Sequence, residues 1–370
     1  MASGREIPYV NMAGQWAEER DELLPIIEKV LADGHWVGGM AILRFEAAAA
    51  RLCGVEQAVA LNSGTDALVC GMAALGIEAG DEVITPPNSF IASTAAIVHL
   101  GARPVFVDVR DDQNLDPDKI EAAITPKTKA VMPVHLTGRI ADMEPILDIA
   151  ERHGLAVVED AAQAIGSRYD GRSSGSFGRV GCFSTHPLKN LNACGDGGFL
   201  TTDDKGIAET VRAVRNHGLV DRDRVTRFGH VSRMDSLQAA ILTYRVGRLE
   251  DTVRRRRANA VLYGEMLDPE HVFVAPEQER EFNTYHTFVI QVARRDELRA
   301  FLRVRGVETA IHYPIPIHLQ PASAKLGYRA GDFPIAERQA ERILTLPINQ
   351  TLTPEDVRYV AGMVNEFFKS

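Results

Sequence analysis

At 370 residues, 45% hydrophobic and 25% charged, the chain is long enough for a large core and for two domains, because single cores seldom grow past about 250–300 residues. Its formal net charge of −9 gives no attraction for nucleic acid or for an anionic membrane surface. The four cysteines (Cys53, Cys70, Cys182, Cys194) form no Cys-x-x-Cys pair, and no apolar stretch has the form of a signal peptide or a membrane span, so the expectation is a cytoplasmic protein with no disulfide framework and no metal set.

The first clear period is Leu23, Leu24, Ile27, Val30 and Leu31, which predicts an amphipathic helix ending at Asp33-Gly34. Residues 36–39 read as a turn and 41–53 as a second helix, closed by Gly54. Residues 58–61 form a short buried strand, interrupted by Asn62-Ser63-Gly64-Thr65 and followed at once by a helix over 66–75. This order puts hydroxyls and backbone amides at a helix N-terminus, a place for a phosphate, although an ordinary N-cap has the same residues. A strand over 81–85 runs into Pro86-Pro87-Asn88-Ser89-Phe90 and a helix over 91–100. Strands over 105–108 and 130–135, a loop at 137–139 and a helix over 143–152 extend the alternation. Five or more strand–helix units imply a mostly parallel sheet covered on both faces, with ligands beyond the carboxyl ends of its strands. Ser63, Phe90, His135 and Asp160 all fall at such ends.

The chemistry concentrates between Val157 and Gly198. An apolar β-branched run ends in Glu159 and Asp160, a Gly/Ser-rich stretch follows, and Gly181-Cys182-Phe183-Ser184 leads to Lys189. A carboxylate at the end of a buried strand and a lysine in a tight loop point to a pyridoxal phosphate site, with the lysine as Schiff-base former and the aspartate as partner of the ring nitrogen. Residues 199–202 are a strand and 207–215 a helix, and 216–233 is a long polar loop. A helix over 234–248 continues with a bend to Leu267 and carries the basic cluster Arg254, Arg255, Arg256 and Arg257, read as a solvated face or subunit contact. Asp268-Pro269-Glu270 then marks a domain boundary, giving a large domain over 1–267 and a small α+β domain over 268–370. In the small domain the pattern predicts a strand over 286–291, helices over 295–305, 336–344 and 354–368, and a proline-rich loop over 314–321.

Taken together, Leu61-Asn62-Ser63-Gly64-Thr65-Asp66-Ala67-Leu68, Val158-Glu159-Asp160-Ala161-Ala162-Gln163-Ala164, Gly181-Cys182-Phe183-Ser184, Lys189-Asn190-Leu191, Gly195-Asp196-Gly197-Gly198, Arg215-Asn216-His217-Gly218 and Arg233-Met234-Asp235 resemble the pyridoxal-phosphate sugar aminotransferases of the aspartate aminotransferase superfamily, fold type I. The resemblance covers nearly the whole chain. It implies a seven-stranded mostly parallel sheet in the large domain, and a homodimer with active sites between subunits. It further implies that Lys189 forms the Schiff base and moves the proton, and that Asp160 keeps the ring nitrogen protonated so that the ring is an electron sink. Gln163 would contact the ring hydroxyl, Phe90 would stack on the ring, and Ser63, Gly64, Thr65 and Ser184 would hold the phosphate. The alternative for Phe90 is a place in the core, and for His135 and His186 the readings are a structural histidine or a ligand contact. The family commonly has an asparagine two residues before the arginine of Arg-Met-Asp, given across the dimer interface to the phosphate. Val231 stands there in this chain, so that contact is absent or passes to Ser232 or Arg233.

The segment from Ile311 through His312, Tyr313 and Pro314 to His318 and Pro321 resembles the members that aminate 3-keto nucleotide sugars, which makes His312, Tyr313 and His318 substrate-contact candidates. Packing of the small domain on the large one is the other reading. The implied reaction moves an amino group from glutamate or glutamine to a keto-sugar, most simply a 3-keto nucleotide sugar, in cell-surface polysaccharide (lipopolysaccharide) or secondary-metabolite biosynthesis. A keto-sugar without a nucleotide, such as a keto-octulosonate or a cyclitol, is the alternative. A pyridoxal-phosphate sugar dehydratase would carry histidine where Lys189 stands, and a nicotinamide oxidoreductase would need Gly-x-Gly-x-x-Gly where residues 62–67 read otherwise.

Overall fold

The computed structural model describes residues 5–369. Its strands in chain order are β1 Gln57–Leu61, β2 Glu82–Thr85, β3 Arg103–Phe106, β4 Thr128–Val131, β5 Ala156–Asp160, β6 Arg168–Tyr169, β7 Arg172–Ser173, β8 Val180–Ser184, β9 Gly198–Thr202, β10 Glu281–Phe282, β11 Phe288–Gln291 and β12 Ile343–Leu346. The helices are α1 Met12–Asp33, α2 Met40–Cys53, α3 Gly64–Ala74, α4 Ile91–His99, α5 Met143–His153, α6 Lys205–Val214, α7 Ser236–Val246, α8 Leu249–Met266, α9 Arg295–Val304, α10 Pro334–Arg342 and α11 Pro354–Lys369.

Seven strands form the central sheet in the order β1-β9-β8-β5-β4-β2-β3, and only β9 runs against the rest. Strand alternation divides its side chains between two layers. Val59, Leu61, Val158, Cys182 and Leu200 enter one core with α3 and α6, while Ala58, Ala60, Phe183 and Phe199 enter another with α2 and α7. A sheet buried on both faces needs continuous apolar strands, which is why β1 and β8 are legible in the sequence. The chain steps from β2 out to β3 and then returns through β4, β5 and β8 to β9, so the order switches between β2 and β4, and the carboxyl ends of β1, β2, β5 and β8 lie on one rim.

The remaining elements build a smaller layer from the antiparallel pair β11–β12 with α8, α9 and α11. Here the sequence reading needs correction. Ile343 and Leu344 are not the end of a helix; they begin β12, whose four residues are all buried. The β-branched run is consumed by pairing with β11, whereas α10 stops at Arg342. The three-stranded sheet β10-β6-β7 was not anticipated either, because two-residue strands carry no period. The small core also draws Ile7, Ala260 and Tyr263 from before residue 268. The basic cluster splits: Arg256 is 5% exposed and donates to the Tyr285 and His286 carbonyls, and Arg257 pairs with Glu277, while Arg254 and Arg255 pair at the surface with Asp251 and Glu18. Among the described residues no helix is long and apolar enough to cross a membrane.

Candidate active site

Asp160 closes β5, and its backbone is held on both sides. Its N–H donates to Pro133 O at 3.0 Å, its carbonyl accepts from His135 N at 2.9 Å, and Ala161 N donates to Cys182 O on β8. Adjacent residues on a strand face opposite ways, so Glu159 and Asp160 have different duties. Glu159 is fully buried and accepts from Gly175, Phe177 and Gly178 amides, each at 2.7 Å, and from His135 Nε2 at 2.9 Å. Because His135 Nδ1 accepts from Ala141 N, its proton sits on Nε2 and the ring is a structural donor. Asp160 points the other way, into the rim.

Lys189 lies on a loop closed by Thr185, which donates to Gly197 O and accepts from Ala193 N. Outside elements pin the loop. Asn190 donates to Thr284 O, Asn192 pairs with Gln15 of α1, and Arg245 of α7 donates to Asn192 O while paired with Glu19. Burial pushes the Lys189 amine down to about 8, with the Asp160 carboxylate opposing the shift. A lysine held so close to neutrality can act as a nucleophile and base near physiological pH.

The Ser63 hydroxyl caps α3: its Oγ accepts from Asp66 N at 3.1 Å. Gly64 and Thr65 occupy the first turn, whose amides have no carbonyl four residues back. A Cβ on Gly64 would lie 2.7 Å from Ser184 Cβ, and one on Gly198 would lie 2.4 Å from the Ser63 carbonyl. The α3 turn, Ser184 and the start of β9 therefore meet at backbone contact, leaving a small cup with free donors. Such a cup suits a phosphate. Gln163 accepts from Thr137 N at 2.8 Å and donates to the Tyr313 hydroxyl at 3.4 Å. Phe90, 55% exposed, faces Tyr313 with ring centroids 5.7 Å apart. An exposed aromatic, a buried aspartate, a lysine of lowered proton affinity and an anion cup together form the donor set that pyridoxal phosphate requires.

His312 continues this wall. Its ring meets Tyr313 edge-on and Tyr9 at a tilt, and its Nδ1 lies 2.9 Å from Thr345 Oγ1. Burial, then Lys189, pulls its ring down to about 4, so it is neutral at pH 7. His186 is exposed, and its Nδ1 accepts from Leu188 N, which shapes the lysine loop. His318 is not brought to this wall: it is 2% exposed, packs edge-on against Phe333 and pairs with Glu337 at 3.0 Å. Ser232 is occupied within the chain, its Oγ on Asn62 Oδ1, so of the two candidates to replace the missing asparagine only Arg233 stays exposed. Val231 itself is 48% exposed.

Sequence reasoning missed Ser93, Tyr9 and His286. Ser93 stands one helical turn after Phe90, a spacing that could have revealed it. His286 has a buried Nδ1 without a partner and is held well below its ordinary value, first by burial and then by Lys189. Tyr9 and His286 come from remote segments without a local signal.

Comparison with known proteins follows this geometry. The model of the DegT/DnrJ/EryC1/StrS aminotransferase family matches residues 17–365. A UDP-N-acetyl-3-dehydro-alpha-D-glucosamine 3-aminotransferase of Acidithiobacillus ferrooxidans is 41% identical over 365 residues, 98% of each chain. A dTDP-3-amino-3,4,6-trideoxy-alpha-D-glucose transaminase of Streptomyces venezuelae is 40% identical over 98% of this chain and 96% of its own. The crystal structure of S. venezuelae DesV in complex with a ketimine intermediate superposes with a TM-score of 0.97, at 40% identity and 99% coverage of both chains.

Proposed function

This chain belongs to the DegT/DnrJ/EryC1/StrS aminotransferase family, and on that premise we propose that it moves an amino group from glutamate or glutamine to the 3-keto group of a nucleotide-linked sugar. It is a pyridoxal-phosphate-dependent aminotransferase. The observation that carries the reading is Lys189, lowered to about 8 by burial, facing Asp160 at the rim of the sheet. The relatives that act on 3-amino and 3-keto nucleotide sugars favour that acceptor over a free keto-sugar.

Pyridoxal 5'-phosphate, when bound, supplies a cationic ring that receives the electron pair released at the donor's α-carbon. The chain's own groups would do the rest. The Gly64 and Thr65 amides with Ser184 would bind the phosphate, Phe90 would cover one ring face, and Gln163 would meet the ring hydroxyl. Asp160 would hold the proton on the ring nitrogen. Lys189 Nζ would accept the proton lost from the donor's α-carbon, and in the second half-reaction would deliver a proton to the sugar carbon being aminated. His312 and Tyr313, neutral and half-buried, would border the sugar without adding charge.

The enzyme would work as a cytoplasmic homodimer. Support comes from Trp36, Met40 and Leu43, which are 61%, 60% and 55% exposed, beside a groove of about 700 Å³ lined by Ile26, Val30, Met40, Ala240 and Tyr244. Phe228 is fully exposed on the 217–231 loop. The unpaired cysteines fit a reducing compartment. A nucleotide-sugar product would serve cell-surface polysaccharide, including lipopolysaccharide, or secondary-metabolite synthesis.

The test is direct. Protein mixed with pyridoxal 5'-phosphate should gain a visible absorbance that changes on adding glutamate, and Lys189→Ala should abolish the change and lower turnover by at least roughly 10²–10⁴-fold. A panel of 3-keto nucleotide sugars, a keto-octulosonate and a cyclitol ketone then identifies the acceptor by glutamate-dependent amination. Protein that ignores the cofactor would sink the reading.

A further inference from the structure

Asp160 is 4% exposed, and the donor closest to its carboxylate comes from a different element. Ser93, on the first turn of α4 and 1% exposed, has its Oγ 2.6 Å from Asp160 Oδ2. Ala162 N donates to the other oxygen at 3.2 Å. The same Oγ is 3.3 Å from Phe90 O, but a hydroxyl has one proton to donate. The shorter contact to a charged acceptor takes it, since bonds to carboxylates are about twice as strong as neutral ones. The neighbouring hydroxyl of Thr94 is buried too and has no partner, so burial on this turn does not by itself bring a hydroxyl to the aspartate.

Resting on the reading above, we propose that Ser93 is the positioning residue for Asp160: by donating to Oδ2 it fixes the carboxylate's rotamer, so that the other face of the carboxylate stays aimed at the ring nitrogen and its proton. The chemistry is that of a hydrogen bond to a charged acceptor, which is stronger than a neutral one. Ser93 and Ala162 each take one lone-pair site, leaving room on the carboxylate for the ring N–H. Without Ser93 the carboxylate is freer to turn away from the ring nitrogen, and the ring's positive charge loses its fixed partner. The backbone adds a second link. Ser93 N also donates to Phe90 O at 3.3 Å, so one turn of α4 sets both the aromatic over the ring face and the carboxylate at its edge.

The experiment uses the full chain with and without pyridoxal 5'-phosphate. In cofactor-free protein, ¹³C NMR should show the Asp160 carboxyl resonance displaced in Ser93→Ala from its position in the parent, as expected of a carboxylate that has lost a donor. In loaded protein, ¹⁵N-labelled cofactor should show the ring nitrogen moving toward its unprotonated resonance. The single-turnover rate with glutamate should fall about tenfold to a hundredfold, the worth of one hydrogen bond to a charged group. Ser93→Thr keeps the hydroxyl and should restore all three. Ser93→Cys, a weaker donor of similar size, should fall between and serves if the alanine variant does not fold. The proposal is overturned if Ser93→Ala keeps the parent's ring resonance and rate, or if folded Ser93→Thr behaves as alanine does. A parent that binds no cofactor overturns the underlying reading instead, a result that the labelled ring reports separately.

Discussion

At the scale of single residues the site works by removing charge rather than adding it. Lys189 is lowered to about 8 and His312 to about 4, in each case first by burial. The attacking species at Lys189 is the neutral amine, so a lowered value moves reactivity to lower pH. The rate of attachment of pyridoxal phosphate to cofactor-free protein should therefore rise through about pH 8 and level off above it. A lysine at its ordinary value near 10.4 would still be gaining at pH 10. Stopped-flow absorbance against pH measures this, and a rate still climbing beyond pH 9.5 would contradict it. Asp160, Gln163, Ser184 and Lys189 stand out in the sequence because each sits in a local motif whose chemistry has few other uses. His318 does not. A histidine in a proline-rich loop looks the same in sequence whether it faces a cavity or, as here, Phe333 and Glu337.

Among elements, the phosphate cup depends on backbone meeting backbone. Gly198 starts β9 between β1 and β8, pairing with both Leu61 and Ser184, and a Cβ there would press on Ser63 carbonyl atoms and Gly64 N within 2.5 Å. None of these atoms can swing aside. Gly198→Ala should therefore displace the α3 turn, destabilise the fold by about 1–3 kcal/mol and weaken cofactor binding more than it weakens the fold. Titration with pyridoxal 5'-phosphate beside thermal unfolding checks it, and an unchanged affinity would refute it. Helices with apolar period and glycine caps were readable to within a residue or two: α2 was expected over 41–53 and spans Met40–Cys53. The failures were elements defined by their partner. β12 exists because β11 lies beside it, and β10 pairs with β6 from more than a hundred residues earlier.

For the whole molecule, the exposed apolar surface around Trp36, Met40 and Leu43 needs a cover. Sedimentation equilibrium should give a dimer for the parent, and Met40→Asp should shift it toward monomer by burying a charge without a partner. A monomeric parent, or a variant that dimerises as tightly, would remove the subunit interface from the account. The core around β11 and β12 also reaches far back in the chain. Ile7, 1% exposed, pairs in parallel with Val307 through bonds to Gly306 and Glu308, and Arg5 reaches Asp356. A ribosome makes Val307 about three hundred residues after Ile7, an interval of roughly 15–60 s at ordinary elongation rates. For that time the N-terminal segment has no partner to bury against, although the seven strands behind it can already assemble. The order of synthesis thus differs from the order of closure: Ile7 leaves the ribosome long before the segment that locks it in place.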